Sequence, residues 1–61
     1  MQDLMNSANS QVLAAALATA RVKKDEGVTY IASSSIAIRN IISTFINVLG
    51  YEEQIRVVPL Q

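Results

Sequence analysis

The 61-residue chain contains no cysteine, no histidine and no tryptophan. Without cysteine a disulfide cannot form, and without cysteine or histidine the usual ligands of zinc and iron–sulfur sites are missing. The lack of histidine also excludes Ser-His-Asp and Cys-His catalytic arrangements. Glycine is scarce as well, since Gly27 and Gly50 stand alone and form no glycine-rich phosphate loop. We therefore expect no metal, no cofactor, no small-molecule substrate and no enzymatic activity.

Charge is sparse and balanced, with five basic and five acidic residues and charged residues at 16% of the chain. Nucleic-acid-binding domains usually carry a basic excess, so nucleic acid is not the expected partner. A net charge near zero favours association over repulsion between copies.

The length sets a limit on stability. A domain of about 60 residues buries only roughly 60% of the surface of its unfolded chain, and such chains usually need a disulfide, a metal or a partner subunit. The sequence predicts one small domain over residues 1–61, with an aliphatic core that is completed by oligomerisation.

Residues 28–50 form the most apolar stretch of the chain, but Arg39, Asn40 and Asn47 interrupt it. An arginine at the centre of a membrane helix costs about 2.5–3.5 kcal/mol on insertion scales, so we do not expect a membrane partner. The acidic start has no secretory pattern. These features favour a location in the cytoplasm or within a particle.

Good helix formers predict a first helix over residues 3–24. Its apolar arc is about twice as wide as that of an ordinary surface helix, which indicates neighbours on two sides. Residues 23–27 read as a charged turn that ends in a glycine.

The remainder predicts a strand at 28–31, a helix at 35–49 capped by one of three serines, and a strand at 55–58. Pro59 lacks an N–H, so this last strand should lie at a sheet edge or end at that residue. Gly50 fits the residue after the helix, with Tyr51 packing back on Ile46. The expected fold class is α+β: a small helix–strand–helix–strand unit dominated by two amphipathic helices. Whether the two strands pair within or between chains stays open.

The helical periodicity separates a predicted core from a predicted interface. Ile36 lies on the polar side of the second helix, where a monomer core does not explain it. The core is predicted to contain Leu13, Leu17, Ile38, Ile41, Ile42 and Phe45. The subunit interface is predicted to contain Met5, Val12, Ile36, Ile55 and Val57, with the last strand adding to a neighbour's sheet.

These features favour a non-enzymatic structural or protein-interaction subunit, acting as a homo-oligomer or in a larger assembly. One alternative is a small dimeric DNA-binding regulator of phage or plasmid type, with a helix-turn-helix over 29–46. Arg39, Asn40 and Ser43 would face the DNA, because arginine and asparagine read guanine and adenine edges. A second alternative is a membrane-associated or pilin-like subunit.

The remaining polar groups have simpler roles. The adjacent acidic pairs 25–26 and 52–53 lie in turns, where they increase solubility. Lys23 and Lys24 lie beside acidic residues and lack the desolvation that a nucleophilic lysine needs.

An alanine-rich segment (12–17), the run 24–30 and a serine-capped second helix follow one another over residues 11–50. This order resembles small phage head–tail joining proteins, which have an alanine-rich helix, a β-hairpin and a second helix. The chain departs from them because little sequence precedes Asp25 for a first hairpin strand and because its C-terminus is not basic. The resemblance rests on composition, so it assigns no family and adds only slight weight to a virion or assembly role.

Overall fold

The structure is a computed structural model that describes residues 7–60. Two helices and three strands form a mixed α+β domain. Met5 and the beginning of the predicted first helix lie outside the described residues. Along the chain the elements are α1 (Ser7–Ala18), β1 (Arg21–Asp25), β2 (Val28–Ser33), α2 (Ile36–Leu49) and β3 (Ile55–Pro59).

The first helix ends earlier than the sequence predicts. It stops at Ala18, where the Thr19 hydroxyl donates to the Ala16 carbonyl, and residues 21–25 form β1. The predicted helix to residue 24 and the predicted turn over 23–27 are therefore wrong. The residues of β1 pair with β2 along their whole length, and this pairing outweighs the good helix propensity of arginine and lysine, because propensity is a weak preference that tertiary contacts override.

A two-residue turn joins β1 to β2. Glu26 and Gly27 have φ values of 51° and 83°, as a type I′ hairpin turn requires. The right-handed twist of this turn matches that of the strands it connects. The objection that too little chain precedes Asp25 for a first hairpin strand is thus also wrong.

The sheet has the order β1-β2-β3, with β1 antiparallel and β3 parallel to β2. The helix α2 makes the crossover between the two parallel strands, as parallel neighbours require. The two predicted strands are confirmed and pair within the chain, and β1 completes their sheet.

The second helix has the ends that its sequence predicts. The Ser35 side chain accepts a hydrogen bond from the Ile38 N–H at 3.2 Å. At the other end Gly50 adopts φ 81°, and the Gly50 and Tyr51 N–H groups donate to the carbonyls of Asn47 and Ile46. This pair of bonds is the Schellman ending.

The core lies between one face of the sheet and the two helices. Ile42 and Phe45 are buried as predicted, and the other four predicted core residues are half-buried and pack against a buried cluster that contains Ile42. The prediction omitted Ala16, Ile31 and Ile46, which are also buried. Ile31 enters the core because β2 is the central strand.

Within residues 7–60, neither α1 nor α2 combines the length and the hydropathy that a membrane crossing requires.

Candidate interaction surfaces

The residues predicted to read DNA differ in exposure and in hydrogen bonding. The half-buried Arg39 turns back on its own chain, and its Nη1 donates to the Ser33 carbonyl at 2.6 Å. Asn40 is exposed, whereas Ser43 is half-buried. Arg39 therefore fastens the end of β2 to α2, and its guanidinium is partly occupied.

The serines at this junction also act locally. Ser33 is 3% exposed, and its side-chain oxygen accepts a hydrogen bond from the Ser35 N–H at 3.2 Å. Ser35 caps α2. The serine run thus turns the chain from the sheet into the helix, as a capping role predicts.

The predicted interface residues fall into two groups. Val12 and Ile36 are exposed, at 48% and 66%. Ile55 and Val57 point toward the helices and pack against the core. The side chains of Val12 and Ile36 are therefore accessible to a partner. Ile55 and Val57 would contribute to an interface mainly through the backbone of β3.

An apolar groove opens between α1 and the C-terminal end of α2. Its volume is about 230 Å³. Ile42, Phe45 and Ile46 are buried beneath it, while Leu49 and Tyr51 are 40% and 50% exposed. The lining consists of Leu13, Leu17, Ile31, Ile42, Phe45, Ile46, Leu49, Tyr51 and Ile55. We call this surface the apolar groove.

A second apolar surface lies at the opposite end of α2. Ile36, the first residue of the helix, is 66% exposed, and Leu60 is 39% exposed. The Leu60 N–H donates to the Ser33 carbonyl, which holds Leu60 beside the β2–α2 junction. We call Ile36 and Leu60 the apolar knob.

A third surface is the side of the sheet that faces away from the core, which we call the outer face. Ile31 points into the core, so its neighbours along β2, Tyr30 and Ala32, point outward. The register pairs Tyr30 with Lys23 on one side and with Arg56 on the other. These three side chains therefore form a row across the sheet.

The same register assigns the other members of the outer face. Its basic residues are exposed, whereas its residues on β2 are half-buried. Among the described residues, the helices contact each other and the core side of β2 and β3. The outer face contains Arg21, Lys23 and Asp25 from β1, Val28, Tyr30 and Ala32 from β2, and Arg56 and Val58 from β3.

A shallower groove of about 350 Å³ runs between α2 and β3. It is lined by Ser43, Ile46, Asn47 and Glu52 and by residues 55–58 of β3. Within residues 7–60, no three acidic residues lie close enough together to hold a metal ion.

Comparison of the chain with protein-family models, with curated proteins and with solved structures finds no match.

Proposed function

We propose that this protein is a non-enzymatic structural subunit that assembles head to tail, with the apolar knob of one copy in the apolar groove of the next. The observation that carries the proposal is the presence of two exposed apolar surfaces at opposite ends of α2, one a groove and the other formed by Ile36 and Leu60. Complementary surfaces at separate places on one molecule give heterologous contacts, which close into rings or extend into filaments.

The groove supplies the receiving surface. Its lining is apolar throughout, and filling it would remove Leu49 and Tyr51 from water at about 25 cal/mol per Å² of apolar area. Concave apolar surfaces of this kind are typical of binding sites.

The knob supplies the inserted surface. A helix of 14 residues is about 21 Å long at 1.5 Å per residue, so Ile36 and Leu49 cannot meet within one copy. At 66% exposure, Ile36 contributes little to the core of its own chain. Contact with a second copy gives Ile36 a role.

The sheet edges are less suited to assembly. Thr29 and Leu60 donate to the carbonyls of Gln54 and Ser33, so the backbone groups of residues 55, 57 and 59 point away from β2. The Ile55 N–H already donates to Tyr51, and Pro59 has no N–H. At the other edge, Lys23 and Lys24 lie in β1, and lysines discourage strand addition.

The zero net charge removes a barrier to self-association. The small size of the domain also favours assembly, because a chain of about 60 residues buries only roughly 60% of its unfolded surface and is marginally stable alone.

Light scattering coupled to size exclusion tests the proposal with two single variants. Ile36→Glu removes the knob and Leu49→Glu blocks the groove, so each variant alone is expected to have the mass of one chain. An equimolar mixture is expected to form a dimer, because the knob of one variant fits the intact groove of the other. Ala37→Glu, on an exposed neighbour of Ile36, is the matched control and should keep the wild-type mass.

Two results would overturn the proposal. One is a wild-type chain that stays a monomer at every concentration. The other is an oligomeric wild type whose two variants fail to pair on mixing, which would indicate a two-fold interface. Circular dichroism of each variant establishes that helicity is retained.

A further inference from the structure

We infer that the outer face of the sheet binds single-stranded nucleic acid, with a base stacked on Tyr30 and the phosphates paired with Lys23, Arg21 and Arg56. The inference rests on the register of the sheet and is independent of the head-to-tail assembly.

The first argument is the distribution of charge. The chain as a whole is neutral, but the outer face carries three basic residues and one acidic residue, Asp25. The other described acidic residues, Glu26, Glu52 and Glu53, lie in turns. The sheet thus concentrates positive charge on one side of a neutral molecule.

The second argument is the arrangement of these charges around an apolar strip. Val28, Tyr30 and Ala32 follow one another along β2, with Arg21 and Lys23 on one flank and Arg56 on the other. Strands lie about 4.8 Å apart, so the backbones of the two flanking strands are about 10 Å apart across the strip. Proteins that bind single strands combine such a basic track with an aromatic side chain on which a base can stack.

The third argument favours a single strand over a duplex. Stacking on Tyr30 requires the face of an unpaired base, which a duplex does not offer. A duplex is usually read by a helix that enters the major groove. Arg39 of α2, the arginine predicted to contact DNA, instead donates to the Ser33 carbonyl of β2.

Fluorescence anisotropy of a labelled thymidine oligonucleotide of about 12 nucleotides, with the full chain at low salt, tests the inference. The expected dissociation constant is micromolar. Because three cations contact phosphates, the slope of log K against log salt should be about −2, from −0.7 per phosphate on a single strand.

Matched variants identify the face. Lys23→Gln is expected to weaken binding and to reduce the salt slope by about 0.7. Lys24→Gln removes the same charge from the same strand, but Lys24 pairs with Thr29 on the opposite side of the sheet, so little change is expected. Tyr30→Leu should weaken binding roughly 5- to 150-fold, the value of one stacked base, while Tyr30→Phe should retain it.

Several outcomes would overturn the inference. These are no binding at a protein concentration of about 100 µM, equal losses for Lys23→Gln and Lys24→Gln, or full binding by a folded Tyr30→Leu variant. Binding of a duplex as tight as that of the single strand would also contradict it. So would binding to phosphatidylserine vesicles without binding to the oligonucleotide, since the face would then be assigned to lipid.

Discussion

At the scale of single residues, the hairpin turn depends on backbone conformation. Glu26 and Gly27 both have positive φ, and an L-residue other than glycine pays about 1–2 kcal/mol in that region. Asparagine tolerates it better than glutamate because its short side chain hydrogen-bonds locally. The turn therefore contains one favourable residue and one strained residue.

Glu26→Asn is expected to raise the free energy of unfolding by up to about 1 kcal/mol, since it relieves part of this strain. Urea unfolding followed by circular dichroism measures the change. Gly27→Ala is the control with the opposite sign: an added Cβ meets nothing within 4 Å, so its cost comes from the positive φ alone. Destabilisation by Glu26→Asn would contradict the strained-turn interpretation.

At the scale of elements, the two helices differ in how well the sequence defines them. The second helix has a serine cap, a glycine ending and a strong apolar stripe, so its predicted range 35–49 is close to the observed one. The first helix has no comparable signal after Ala18, and its alanine-rich pattern continues into residues that belong to a strand. The alternation of β1 is visible only once its pairing with β2 is known.

Ser35→Ala is expected to lower the free energy of unfolding by about 1 kcal/mol, because the Ile38 N–H loses its acceptor. Thermal unfolding by circular dichroism measures the loss. Ser34→Ala is the matched control, because Ser34 precedes the capping residue, is exposed and does not cap α2. A change of less than about 0.5 kcal/mol is expected there. Equal effects of the two variants would show that the cap contributes nothing specific.

At the scale of the whole molecule, one small core holds both helices to the sheet. Ala16, Ile31, Ile42 and Ile46 form its buried cluster and come from α1, β2 and α2. Ile42 is the most buried of them, at 1% exposure. Loss of a side chain at this point affects every layer of the fold.

Ile42→Ala is expected to cost about 2–5 kcal/mol. The total stability of a chain of this size is about 3–9 kcal/mol at 0.05–0.15 kcal/mol per residue, so much of the population should unfold. Ile42→Val is expected to lower the free energy of unfolding by a smaller, measurable amount of about 0.5–1.5 kcal/mol. Val48→Ala on the same helix, at a residue 45% exposed, should cost less than either. Chemical denaturation ranks the three, and a negligible effect of Ile42→Ala would place Ile42 outside the core.

The candidate surfaces were predictable to different degrees. The position of Ile36 on the helical wheel already separated it from the core, and it is 66% exposed. The groove depends on how α1 packs on α2, and no periodicity within either helix contains that information. The row of Lys23, Tyr30 and Arg56 depends on register, which brings together residues up to 33 positions apart.

By itself the sequence determined the type and ends of α2, the strands β2 and β3 and the aliphatic character of the core. These follow from local signals: capping residues, β-branched runs and composition. The tertiary structure decided that residues 21–25 form a strand and that Arg21, Lys23 and Arg56 share one face of the sheet. The physical reason is that strand pairing is a long-range interaction, whose hydrogen bonds outweigh the weak local preference of a short charged segment.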